Sequence, residues 1–128
     1  MLDHVGLAVA DLKRAKPFYA AALAPLGISL LYEVTAEQTG GGSHAGFGAN
    51  GKAFFWLGEG SKPTGGAHVA FTASSRAEVE AFHQAALAAG GRDNGAHGLR
   101  PHYHANYYGA FVLDADGNNI ETVCHRPE

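Results

Sequence analysis

The chain carries one cysteine, one methionine and one tryptophan in 128 residues, and nowhere a run of lysine or arginine. A single thiol, Cys124, excludes an internal disulfide and agrees with a reducing compartment. It ends an apolar stretch, which predicts a buried, inert side chain rather than a nucleophile. Lys and Arg number 9 against 12 Asp and Glu, a net charge of -3. That balance offers no electrostatic footprint for nucleic acid or an anionic membrane surface. No apolar stretch approaches the roughly 18 residues of a membrane span, and Met1-Leu2-Asp3-His4 lacks the basic-then-apolar layout of a signal peptide. The expected protein is cytoplasmic, with a small molecule as partner and neither nucleic acid nor membrane. With 46% apolar content, the length suits one domain with a core of its own.

Glycine and histidine are over-supplied, at 18 and 8. The glycines gather in pairs and triplets that read as turns. Gly40-Gly41-Gly42-Ser43-His44 lacks the spacing of a phosphate loop and a following helix, so it is read as a connection. The histidines need a chemical explanation.

An internal repeat supplies one. Residues 4–27 set over 68–91, an offset of 64, match His4 with His68, Val5 with Val69, Phe18 with Phe82, Leu23 with Leu87 and Gly27 with Gly91. A period of half the chain points to a duplicated supersecondary unit. Each copy opens on an alternating strand, within Leu2 to Val9 and again from His68 to Thr72. Val5, Leu7 and Val9 share one face, as do Val69 and Phe71, so both histidines leave on the other.

A helix follows each strand. Asp11 caps the first, which carries Leu12, Ala15, Tyr19, Ala22, Leu23 and Leu26 at helical spacing; Pro17 predicts a bend or a late start. Ser75 and Glu78 form a capping box for the second, and Gly90 stops it. Short strands come next, at about Ser29 to Thr35, His44 to Ala49 and Ala53 to Gly58. The second half has one near His102, then Tyr107 to Leu113 and Asn119 to Cys124, with Asp114 to Asn118 as the turn between the last two. The reading is α+β, two βαβββ modules of about residues 1–62 and 66–128 that make one domain around a cup.

His4 and His68 enter this cup from equivalent strands. In the last strand Ile120 and Glu121 face opposite ways, and a carboxylate among β-branched residues is costly to bury without a cation. Glu121 is therefore the expected third ligand. Two imidazoles and a carboxylate leave positions open for water or substrate. The set suits one divalent Fe, Mn, Zn, Ni or Co ion.

These residues resemble the vicinal oxygen chelate superfamily, which includes glyoxalase I, extradiol dioxygenases, and fosfomycin- and bleomycin-resistance proteins. The resemblance rests on Leu2-Asp3-His4-Val5-Gly6-Leu7, the Asp11 to Tyr19 helix, Ala67-His68-Val69-Ala70-Phe71, and Asp114 to Glu121, and it spans nearly the whole chain. It implies a half-barrel cup with a metal that chelates two neighbouring substrate oxygens, in a lyase, an isomerase or a dioxygenase. It also implies that chains this short pair as homodimers and build each site from both subunits. The alternative it implies is a metal-free, ligand-sequestering protein of the bleomycin-resistance type. Glyoxalase I carries a further Glu at the end of the first module, where this chain has Ala53-Phe54-Phe55-Trp56-Leu57. Extradiol dioxygenases place a His and a Tyr before the turn; here His104 stands at a fitting spacing, but Phe111 holds the Tyr position and Ala115 the Pro.

Arg100-Pro101-His102-Tyr103-His104-Ala105-Asn106-Tyr107-Tyr108 concentrates aromatic, imidazole and cationic side chains before the penultimate strand. Arg100, Tyr103, His104 and Tyr108 are the expected catalytic groups, able to exchange protons, stack on a ring or hold a carboxylate. Trp56 with Phe54 and Phe55 reads as core or cup wall, and a cup wall favours an apolar or aromatic ligand part.

Overall fold

Leu7 and Val9 are buried while Ala8 between them is only half-buried and Gly6 before them is exposed, which is the period-2 pattern of a strand with one covered face. A computed structural model describes residues 1–128. The first module runs β1 (Val5–Ala8), α1 (Leu12–Leu23), a single helical turn at Ala24–Leu26, β2 (Ser29–Val34), a short α2 (Ala36–Thr39), β3 (His44–Ala49) and β4 (Lys52–Gly58). The second runs β5 (His68–Thr72), α3 (Arg76–Ala88), β6 (Arg92–Leu99), β7 (Tyr108–Leu113) and β8 (Asn119–Cys124). Their sheets have matching orders, β1-β4-β3-β2 and β5-β8-β7-β6, with the first pair of each parallel and the rest antiparallel. The predicted duplication is thus present as two copies of one βαβββ unit.

Three local expectations change. Pro17 lies inside α1, yet the helix does not start late. It begins at Leu12, whose N–H donates to Glu59 Oε2 at 2.6 Å, while Asp11 accepts from the Arg14 N–H at 3.4 Å. Two carboxylates at this end satisfy orphan donors and favour the helix dipole. In α3, Ser75 accepts from the Glu78 N–H at 3.2 Å, but Glu78 turns to Ser74 instead of completing the box. The strand expected near His102 is instead β6, and residues 101–103 form a turn. β6 reads RDNGAHGL and has almost no apolar side chain, so no alternation revealed it.

One core of 21 buried residues spans both modules. Phe55 of β4 meets Phe71 of β5 edge-on, with centroids 5.1 Å apart. Buried side chains of this size each contribute about 1.5–3 kcal/mol. A polar hub ties the modules as well: Tyr19 of α1 donates its hydroxyl to Asp114 Oδ2 at 2.5 Å, across 95 residues. Asp114 also accepts from the backbone N–H groups of Asp116 and Asn118, both at 2.9 Å, and from Asn118 Nδ2 at 3.0 Å. Burial pushes the Tyr19 hydroxyl far up, so it remains a donor. No helix is long and apolar enough to cross a membrane.

Helix α1 packs on one face of the first sheet and α3 on one face of the second. The helix-free faces carry His4, Gly6 and Trp56 on one module, and His68, Phe111 and Glu121 on the other.

Candidate functional site

Strand β8 is hydrogen-bonded on both sides, by β5 and β7, which fixes its residues laterally. Ile120 points into the core and Glu121 away from α3. Glu121 is nonetheless only 1% exposed, because neighbouring side chains close over it. His68, at the start of β5, brings Nε2 to 2.8 Å from Glu121 Oε1. Tyr107 donates its hydroxyl to the other carboxylate oxygen. It reaches Glu121 by lying across Gly109, which has no side chain to obstruct it. Burial and the bond to Glu121 push the Tyr107 hydroxyl up to about 12, so it donates throughout the neutral range.

His4 stands on the other module. Its Nδ1 lies 2.7 Å from Asp3 Oδ1, and Asp3 also accepts from Lys52 Nζ at 2.8 Å on both oxygens. Bonds from Lys52 and then His4 hold the Asp3 carboxyl below its usual range. An ionised carboxylate is an acceptor only, so it accepts from Nδ1–H and turns Nε2 away from Asp3. Such a carboxylate behind an imidazole is the arrangement that orients metal-ligating histidines. His4 and His68 both border a crevice of about 530 Å³ between β1 and β5, with Ile28, Phe54 and Phe71 in its walls.

Within one chain, no three His, Cys, Asp or Glu side chains converge closely enough to hold a metal ion. His68 and Glu121 come together and His4 does not join them. The paired donors themselves suit a cation: an imidazole nitrogen and a carboxylate oxygen 2.8 Å apart can both turn toward an ion bound at about 2.0–2.2 Å.

The expected catalytic residues divide. Arg100 folds over the second cup face, donating to the carbonyls of Ala96 at 2.7 Å and Gly98 at 2.9 Å, with its guanidinium 5.4 Å from the Phe111 ring centre. Phe111 in turn neighbours His68, with ring centres 6.3 Å apart. Tyr103 is largely exposed and meets Tyr107 edge-on at 5.0 Å. His104 is exposed, and its Nδ1 accepts from the Asn106 N–H at 3.0 Å. Tyr108 faces α3, on the side away from Glu121, and donates to Glu80 at 2.6 Å. The residue that touches Glu121 is its neighbour Tyr107, which the sequence reading passed over. What separates the two is place: Tyr108 opens β7, and Tyr107 immediately precedes it.

Most of the other histidines have local partners. His83 is buried against Asp93 at 3.1 Å, and His97 lies 3.2 Å from the Tyr108 hydroxyl. His125 packs between Tyr107 and His104. Glu59 lies past the end of β4 and is engaged in capping α1.

Comparison with known proteins agrees with this architecture. The model of the Glyoxalase/Bleomycin resistance protein/Dioxygenase superfamily matches residues 1–122. A glyoxalase/bleomycin resistance protein from Albidiferax ferrireducens T118 is 29% identical, with TM-score 0.81 over 99% of both chains. A glyoxalase I variant from Zea mays is 25% identical, with TM-score 0.73 over 95% of this chain and 46% of the maize chain. The fosfomycin resistance protein FosX from Listeria monocytogenes, in complex with Mn(II), shares the fold at 18% identity, with TM-score 0.70 over 100% of this chain and 92% of the other. A search of the curated proteins returned no match.

Proposed function

The chain belongs to the Glyoxalase/Bleomycin resistance protein/Dioxygenase superfamily, and from that footing we propose that it is a metal-dependent enzyme acting on a small substrate with adjacent oxygens. The observation that carries this reading is the His68–Glu121 pair, a buried carboxylate whose one oxygen meets an imidazole nitrogen while a tyrosine hydroxyl occupies the other. One chain supplies two converging donors. The third, in this reading, is His4 of a second copy, already turned by Asp3 so that Nε2 points away from that carboxylate. The two sheets do not hydrogen-bond to each other, and each presents a helix-free face, so two copies in a two-fold dimer would set the first face of one against the second face of the other.

A divalent ion bound there would supply Lewis acidity to two neighbouring substrate oxygens. The chain's own residues do the rest. Tyr107 fixes the carboxylate plane, Asp3 fixes the His4 ring, and Arg100 places positive charge beside His68 where an anionic substrate group would sit. Tyr103, packed on Tyr107, and His104, packed on His125 beside it, are candidate proton carriers.

Light scattering at micromolar concentration should give a dimer. Sharing can then be tested by mixing His4→Ala chains with Glu121→Gln chains. Neither alone should take up metal, whereas a statistical mixture should regain about a quarter of the sites, since half the dimers are mixed and each has one intact set. A monomer, or no regained metal in verified mixed dimers, would overturn the shared site. Elemental analysis tests the enzyme reading itself. Only trace transition metal, with none taken up on titration, would favour a metal-free binding protein.

Tyr107→Phe should keep one metal per site but weaken its hold by about 10- to 100-fold, the usual loss when a group orienting a ligand is removed. Competition against a chromogenic chelator measures this. Unchanged affinity would remove Tyr107 from the site.

A further inference from the structure

The helix-free face of the first sheet carries a row that crosses all four strands. Gly6 of β1 pairs with Trp56 of β4, Trp56 with Gly46 of β3, and Gly46 with Tyr32 of β2. Trp56 does not stand up from the sheet. A Cβ placed on Gly46 would lie 2.8–2.9 Å from three atoms of its six-membered ring, so the indole lies flat over the glycine. Tyr32 extends the surface, with its ring plane 17° from that of Trp56 and the centroids 6.3 Å apart.

Tyr32 reaches this face through a departure from regular pairing. Leu30 pairs with Phe47, and an uninterrupted register would set Tyr32 opposite Ala45. A bulge between Leu30 and Tyr32 sets it opposite Gly46 instead, on the helix-free side. A tyrosine 50% exposed on that face is not placed there to fill the core. A hollow of about 370 Å³ at the turn end of the row is bounded by Tyr32, Trp56, His4 and Lys52, so the proposed metal ligand His4 borders the same space as the flat rings.

We infer that this row is a stacking floor, and that the substrate carries a planar aromatic ring beside its adjacent oxygens. The inference rests on the proposed function and narrows it. A ring lying on Trp56 directs attached oxygens toward His4, and the π faces of Trp56 and Tyr32 favour a flat ring over a puckered one of equal size. Simple apolar burial predicts the opposite order, since a saturated ring buries more hydrogen-bearing surface.

Trp56 is the only tryptophan, so its emission reports the floor directly. Mandelate and hexahydromandelate are the probes: each has a hydroxyl beside a carboxylate, and they differ in whether the ring is flat. With metal-loaded protein, calorimetry should show mandelate binding about tenfold more tightly, and mandelate should quench Trp56. Trp56→Leu and Tyr32→Leu should each bring the ratio toward one while retaining a full equivalent of metal. Tyr32 is exposed, so its variant remains informative if loss of Trp56 impairs folding. Equal binding of the two acids by the wild type, or an undiminished preference in Tyr32→Leu, would overturn the floor. Metal uptake with equal binding would leave the proposed function standing. Quenching by mandelate in a protein that takes up no metal would do the reverse.

Discussion

Glu121→Gln should leave a folded protein that has lost both its metal and all metal-dependent activity. The side chain is 1% exposed and sits on a strand paired on both sides, so the amide fits the same space and the fold survives. What changes is charge and donor chemistry. A carboxylate offsets a divalent cation and offers oxygens only, whereas an amide is neutral and presents an NH2 group that cannot ligate. His68 Nε2 and the Tyr107 hydroxyl both point at the carboxylate, and one of them would then confront an amide donor. Metal content measured beside circular dichroism decides the matter. A variant with native structure and a full equivalent of metal would mean that Glu121 is no ligand. His104→Ala is the matched comparison. That ring is exposed and bonded locally to Asn106, so metal should stay at one equivalent while turnover falls by roughly 10²- to 10⁴-fold, the usual contribution of a proton-transfer group. Loss of metal in this variant would reverse the two assignments.

Asp114→Ala should produce the largest loss of stability. The carboxylate is 4% exposed and accepts from the Tyr19 hydroxyl, the Asn118 amide and two backbone N–H groups. Removing it strands these donors together, and each buried donor left without a partner costs about 1–3 kcal/mol. Water can reach the open side of the turn, so the net loss should be about 3–4 kcal/mol, a fall in Tm on the order of 10 °C for a chain of this length. Tyr19→Phe removes one donor and keeps the carboxylate, so it should cost about 1–2 kcal/mol. Thermal unfolding of the two variants tests the ranking. If Tyr19→Phe proved the worse, the hub would depend on the tyrosine rather than on the carboxylate.

Part of the candidate site was legible in the linear order because duplication repeats its information. A lone histidine on a strand says little, but His4 and His68 at the same place in two copies mark two equivalent positions. Alternation around Ile120 then sets Glu121 on the face away from the core. The remainder depended on register. Tyr107 and Tyr108 are adjacent, similar and equally suited to chemistry, yet Tyr108 opens β7 opposite Cys124 and bonds Glu80, while Tyr107, just before the strand, lies across Gly109 to reach Glu121. The sequence reading favoured Tyr108, which instead bonds Glu80 under α3. β6 was hidden for another reason: its sparse apolar content leaves no pattern to read, and pairing to β7 makes it a strand.

The amino-acid order alone determined the repeated βαβββ plan, the two long helices with the N-caps Asp11 and Ser75, the faces of β1, β5 and β8, and the family. These depend on periods of 2 and 3.6 residues and on side chains within a few positions of one another, so they are written locally. Which donors meet, which tyrosine bonds the carboxylate and how Trp56 comes to lie on Gly46 were decided by tertiary pairing. They depend on a bulge, a register and a crossing between strands far apart in the chain, and no short-range pattern encodes the distance between such residues.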